Sequence, residues 1–266
     1  MKMKLEGLTP EQIAERAPQV YTTAPADGVS SKYTFLPTFQ IIEDMAKLGW
    51  LVSDAKTMKS KNAAQKKYGK HIVMFFHPDI YIKDSQGGIE AYPQIMIQNN
   101  HRGWGRFKFE IGIFRLVCTN GLVIKSADYG TFEMRHLGYS FEELKELVEK
   151  AIAILPTVVE KINTLSAKEM TEKEMRQFAE RAIQVRFGEE KLVDASEIQQ
   201  VLEATRDADR GNNLWVVMNR VQEHLVRGGF TTISADKKER KVRKITNMLK
   251  DVELNQKLWE LTEEFA

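Results

Sequence analysis

The run Tyr92–Val123, YPQIMIQNNHRGWGRFKFEIGIFRLVCTNGLV, restricts the fold of this chain more than any other stretch. Gln94-Ile95-Met96-Ile97-Gln98 is a short apolar segment, and Phe107-Lys108-Phe109-Glu110-Ile111 alternates apolar with charged, the two-residue period of a strand with one dry face. Between them, His101-Arg102-Gly103-Trp104-Gly105 supplies two glycines that permit positive φ, which predicts a hairpin with a basic and aromatic tip. Ile113-Phe114-Arg115-Leu116-Val117 continues apolar with one embedded arginine. Asn120-Gly121 then favours a tight turn, and Leu122-Val123-Ile124 reads as the returning strand. An antiparallel sheet built here is the expected core.

What lies on either side differs in kind. Residues 1–34 hold Pro10, Pro18, Pro25 and Gly28, with one helical turn in prospect where Thr9 caps and Pro10 enters. They read as an arm, laid over a neighbouring surface or partly disordered. Thr38–Leu48 carries Phe39, Ile42, Met45 and Ala46 at helical spacing and stops at Gly49; Trp50–Met58 follows as a first strand. The tract Lys59–Lys70 has five lysines and no acid, too polar for a core, and reads as an exposed, mobile hairpin loop that is either a solvated turn or a phosphate contact. His71–Phe76 has the unbroken apolar character of a buried strand, ended by Pro78.

From Ser140 the period changes to helical. Ser140 and Glu143 form a capping box, Leu144, Leu147, Val148, Ala151 and Ile154 make an apolar stripe, and Pro156 predicts a kink. Four more helical patterns span 168–187, 194–206, 212–227 and 240–265. The fold class is therefore α+β: an antiparallel sheet core in the first half packed by helices, then a mostly α-helical second half. Three segments are expected, an arm at 1–34, the sheet core at 35–139 and a helical extension at 140–266.

Composition narrows the function classes. A chain of 266 residues with 42% apolar and 29% charged side chains is ordinary for a globular protein, with no apolar run long enough for a bilayer and no signal-peptide core in MKMKLEGLTPEQ. The reading is a protein of the cytoplasm with no membrane partner. A single cysteine, Cys118, excludes an intrachain disulfide and a multi-cysteine zinc site. Net charge is +2, but residues 1–140 carry 18 Lys and Arg against 13 Asp and Glu, so the first half is the better candidate for an anionic partner.

Chemistry-bearing constellations are sparse. Cys118, Asn120 and His136 hold the residue types of a thiol nucleophile with its base and orienting amide, yet Cys118 ends a strand as a small hydrophobe would, and Asn120-Gly121 is already explained by the turn. The five histidines form no HxH or HExxH pair, and Asp79, Asp84 and Glu90 are loop acids. Neither a metal nor a cofactor is expected. The cationic and aromatic set is richer: Arg102, Trp104, Arg106 and Lys108 at the hairpin tip, with Lys66, Lys67 and Lys70 nearby, combine phosphate partners with a ring that stacks on a base. Against this, Phe107 and Phe109 share one parity and belong to a core. Arg227–Lys250 holds eight basic residues against two acids and is either a second anion contact or a solvated helix face whose Val242, Ile245 and Leu249 pack inward.

Phe114-Arg115-Leu116-Val117-Cys118-Thr119-Asn120-Gly121-Leu122 resembles the signature of a phage- and plasmid-encoded family catalogued as domain of unknown function 932. Ile97–His101, Met134–Gly138, Asn212–Glu223 with Gly228-Gly229, and Leu254–Trp259 are similar to other pieces of it, so the resemblance spans about residues 35–262. The departure is Asn100-His101-Arg102-Gly103, where the family pattern has a serine-histidine-aspartate-glycine type of turn; here the tip is more basic. The family supplies no settled activity. Its helix, sheet, helix order is similar to that of single-strand annealing recombinases, which form rings or filaments around stripped DNA.

Residues and resemblance together lead to one expectation: a bacteriophage or mobile-element protein of the bacterial cytoplasm that binds, and anneals, single-stranded DNA as a homo-oligomer in DNA recombination. Lys66, Lys67, Lys70, Arg102, Arg106 and Lys108 would hold phosphates and Trp104 would stack, while Asn100, Asn120, Gly121 and His136 shape the turns. Two alternatives stand beside it: an interaction protein that inhibits or redirects a host enzyme or defence system, and a hydrolase using Cys118 and His136 or a carboxylate-bound metal.

Overall fold

The computed structural model of the chain describes residues 5–30, 33–58, 62–83, 89–103, 107–115, 121–123, 132–134, 140–234 and 238–266. By its internal packing the chain divides into two compact units, Met1–Leu155 and Pro156–Ala266. The first contains α1 (Pro10–Arg16), α2 (Thr38–Lys47), β1 (Leu51–Thr57), α3 (Ala63–Tyr68), β2 (His71–Phe76), β3 (Ile82–Lys83), β4 (Ile89–Asn99), β5 (Phe107–Arg115), β6 (Gly121–Val123) and β7 (Phe132–Met134). Helix α4 (Phe141–Ala167) begins in it and runs on through Pro156. The second unit continues with α5 (Glu172–Phe187), α6 (Ala195–Leu202), α7 (Leu214–Arg227), β8 (Thr231–Ile233), β9 (Glu239–Lys241) and α8 (Met248–Glu264). The fold is α+β, with the antiparallel sheet in the first half and a mostly helical second half.

The sheet is antiparallel throughout, in the order β1-β2-β4-β5-β6, with β3 beside β4 and β7 beside β5. The expected hairpin is β4–β5, in register from Ala91 opposite Arg115 to Gln98 opposite Lys108. Directly paired residues share a face, so Ala55, Val73, Ile97 and Phe109 line up on one side. They pack against Ile41 and Met45 of α2 and Leu144, Val148 and Ala151 of α4. Ile72, Met74, Phe76 and Met96 point the other way and are also buried. That is why β2, HIVMFF, shows no alternation: a strand dry on both faces has no polar side to present.

Residues 5–30, within the segment read as an arm, lie on the chain's own sheet. Leu8 N donates to Val52 O at 2.7 Å, and Ile13, Ala17 and Val20 are buried in the sheet's core. Thr9 and Gln12 complete a capping box at the start of α1. The lysine tract differs from the mobile hairpin loop that its composition suggests. The hairpin is there, β1 pairing with β2 up to Thr57 opposite His71, but its connection includes helix α3, as the helix formers Ala63, Ala64 and Gln65 favour.

In the second unit, α7 is its most enclosed helix: of its 14 residues, 12 are buried, which makes it a core element and not one offered to a partner. Trp215, Val217, Met218 and Val221 on α7 are buried, as are Phe178, Ile183, Leu258 and Trp259 on α5 and α8. The helical pattern expected from Arg240 onward is corrected. Arg240 stands in β9, paired with Thr232, and α8 starts at Met248 with Asn247 as its cap. Thr231, Thr232 and Ile233 favour a strand over a helix, and the two glycines before them end α7.

Candidate nucleic-acid interface

One end of the sheet, where β2 begins and β4 ends, is organised by buried polar side chains. His71 opens β2 and Asn99 closes β4, directly opposite one another. The His71 Nδ1 lies 3.0 Å from the carbonyl of Gly69, which can only accept, so Nδ1 carries the hydrogen and Nε2 accepts from the Thr38 hydroxyl at 2.7 Å. Asn99 Nδ2 donates to that hydroxyl at 3.0 Å and to the Leu36 carbonyl at 3.1 Å. The ring of His101 stands 5.1 Å from that of His71, and its Nε2 donates to the Gln19 carbonyl at 3.1 Å. Full burial, opposed in smaller part by the Gly69 carbonyl, pushes the His71 pKa down to about 4, so the ring is neutral at physiological pH. Thr38, His71, Asn99 and His101 thus work as a scaffold, each too deep to meet a ligand.

This scaffold sets the surface above it. His101 N donates to the Tyr68 carbonyl at 2.9 Å, fastening the C-terminal end of α3 to the foot of the β4–β5 turn. Asn100 Oδ1 accepts from Arg102 N at 3.1 Å, and the Asn100 carbonyl accepts from the Tyr33 hydroxyl at 3.1 Å. Gly103 has φ +72°, and a Cβ there would stand 2.6 Å from Val29, so the turn passes beneath Val29 only because it has no side chain at this point. Ala26 N donates to the His101 carbonyl at 2.9 Å on the same side.

The expected phosphate partners divide accordingly. Lys66 and Lys67 are exposed on α3, Lys70 is half-buried at its end, and Arg102 is half-buried in the turn that His101 ties to it. The Lys67 ammonium lies 5.1 Å over the Tyr68 ring. A hydrogen bond to Tyr68 and its charge raise the Lys67 pKa, with Asp27 adding less, so the group stays cationic. Lys108, second residue of β5, stands at the same end of the sheet, paired with Gln98 and Glu133 on the face away from Phe109. Gly121 is the first residue of β6, opposite Phe114. Trp104, Arg106, Asn120 and His136 lie outside the described residues, as does Cys118.

The sequence reasoning missed the buried histidines as a unit, since Thr38, His71 and Asn99 are far apart along the chain. The available signal was His71 standing first in an otherwise apolar strand. Among the described residues no group of three or more His, Cys, Asp or Glu could hold a metal ion, and no helix is long and apolar enough to cross a membrane.

The chain matches the family described as Domain of unknown function (DUF932) over residues 26–259. It belongs to that family. Two relatives from Escherichia coli (strain K12), "UPF0380 protein YafZ" and "UPF0380 protein YfjQ", are each 25% identical over 256 residues, covering 96% of this chain and 90% of theirs. No solved structure matches, and a likeness of this DUF932 chain to annealing recombinases is not shown.

Proposed function

We propose that this protein binds single-stranded nucleic acid through the surface formed by α3 and the β4–β5 turn, holding phosphates without cofactor or covalent chemistry, and that it anneals strands as an oligomer in a phage or mobile element. One observation carries the reading: the 2.9 Å hydrogen bond from His101 N to the Tyr68 carbonyl, which brings the lysine-bearing helix and the arginine-bearing turn side by side. Lys66 and Lys67 supply exposed charge, Lys70 and Arg102 its flank, and Trp104 and Arg106 lie within three residues after Gly103 in sequence. Cations that track a backbone beside a ring that stacks are the common means of holding stripped strands.

Fluorescence anisotropy with labelled single-stranded DNA tests this. Affinity should fall steeply between about 50 and 200 mM salt, because neutralised phosphates release counterions, and the double substitution Lys66→Glu/Lys67→Glu should lower the log-log slope by about 1.4 or more. Binding indifferent to salt, or untouched by that substitution, would overturn the reading.

The rival reading, an interaction protein, has one observation in its favour. Leu192 is 92% exposed at a cavity of about 880 Å³ that Phe187, Val193 and Ile233 also line. It requires a host protein retained in a stable complex and no oligonucleotide retained.

A further inference from the structure

The second unit carries a feature that the reading above does not use. Lys238, Glu239, Arg240, Lys241, Arg243 and Lys244 are exposed, and Val242 alone among these seven consecutive residues is buried. Five cations therefore face outward from one short stretch with a single carboxylate among them.

The stretch is held firmly. Its β8–β9 ladder pairs Thr231 with Lys241 and Ile233 with Glu239, and it is extended at both ends: Ser234 N donates to the Lys238 carbonyl at 3.0 Å, Val242 N to the Phe230 carbonyl at 2.8 Å and Gly229 N to the Val242 carbonyl at 2.9 Å. At the root, Arg186 Nη2 donates to the Arg243 carbonyl at 2.7 Å and Ile245 N to the Val226 carbonyl at 2.9 Å. Gly228, at φ +70°, lies so close beneath Val242 that an added Cβ would stand 2.4 Å from its carbonyl oxygen. The neighbouring acid is turned inward: Glu197 is fully buried, paired with Lys191 at 2.9 Å and hydrogen-bonded to the Thr232 hydroxyl and to Ile233 N. Backbone groups are thus spent inward and cationic side chains outward.

We infer that this β8–β9 ribbon and the residues that follow it, Lys238–Lys244, form a second binding surface for the phosphodiester backbone of a nucleic acid, on the helical unit and independent of α3. Successive strand residues project to opposite faces at about 3.3 Å per residue. Arg240 and Lys241 therefore offer charge on both sides of the ribbon. An acidic protein would be expected to meet an apolar centre inside a polar rim, and here Val242 is turned into the unit; a backbone-binding surface is cationic and polar, as this one is.

The test uses the full chain, labelled single-stranded and duplex DNA as probes in separate arms, and a salt series. The triple substitution Lys241→Glu/Arg243→Glu/Lys244→Glu should reduce the log-log slope by about 2 on single strands, at roughly 0.7 for each phosphate no longer neutralised, and weaken binding at low salt by tenfold or more. A larger effect on duplex would assign the ribbon to paired strands, and a larger effect on single strands to stripped ones. The same slope as the parent protein on both probes would overturn the inference. Should the triple variant melt early, Lys241→Gln/Arg243→Gln/Lys244→Gln decides in its place, by the same two outcomes. The Lys66→Glu/Lys67→Glu protein separates the two surfaces. If it weakens while the ribbon variant does not, the inference fails and the α3 interface stands; the reverse leaves the ribbon and removes α3; a parent protein that retains neither probe ends both.

Discussion

Around Thr38 in the sheet unit the buried polar groups are neutral, whereas around Glu197 in the helical unit they are ionic. The first set is a histidine, a hydroxyl and an amide joined donor to acceptor, with His71 kept uncharged by burial. The second joins a fully buried carboxylate to Lys191, whose side chain is only 12% exposed. Burial pushes the Glu197 carboxyl up, but hydrogen bonds from Thr232, Asp194 N, Lys191 and Ile233 N outweigh it and hold the carboxyl below the ordinary glutamate value. The same unit holds Glu223 between Arg206 and Arg227. A neutral network needs no counter-charge and tolerates a dry sheet end. An ionic one fixes a short ribbon that has little apolar area of its own, at the cost of depending on every partner.

The largest expected effect falls on the ionic side. Glu197→Ala leaves Lys191 buried without its partner and Thr232 and Ile233 N without an acceptor, so the helical unit should lose about 3–5 kcal/mol. Hydrogen exchange resolved by segment should show the loss in α6, β8 and β9, and a protected β8 in the variant would break the contrast.

Acid should sort the two units next. The unfolded chain takes a proton on His71 near pH 6.5 and the folded sheet unit only near 4, so stability is full above about 6.5 and is lost as pH falls through that window, by up to about 3 kcal/mol. Glu197 has the same sense in a lower window: its contribution is present above the ordinary glutamate pKa of 4.5 and disappears only below it. Urea unfolding followed separately in each unit at pH 7 and 5 should therefore weaken the sheet unit first, and His71→Gln should flatten that slope. Equal acid sensitivity in both would contradict the assignment.

A smaller effect sharpens the neutral side. Thr38→Val keeps the shape but removes the hydroxyl that serves His71 and Asn99, at about 1–3 kcal/mol. A thermal melt unchanged from the parent protein would mean that the two side chains find other partners.

Features that depend on near neighbours were legible in the sequence. The β4–β5 hairpin announced itself by period and by its glycines, β2 by an unbroken apolar run, and α4 by Ser140, whose hydroxyl accepts from Glu143 N at 3.1 Å. Those that depend on distant partners were not. Ile13, Ala17 and Val20 are spaced among prolines with no clear period and become core only because β1 lies beside them. The ribbon's strands are three residues each, too short to reveal alternation, and their charge resembled a solvated helix face. Of the candidate interface, the cations could be read but not what joins their elements: a backbone hydrogen bond between His101 and Tyr68 ties the turn to the end of α3, and peptide groups leave no mark in the sequence.

Val29 resting on Gly103 has a practical corollary. The leading segment works as a latch on the turn, with Ala26 and Tyr33 as its two catches. A truncated variant starting beyond Tyr33 would remove the donors that Tyr33 and Ala26 supply to the peptide oxygens of Asn100 and His101 and loosen the bend, so shortened versions made for binding work should begin ahead of Leu8.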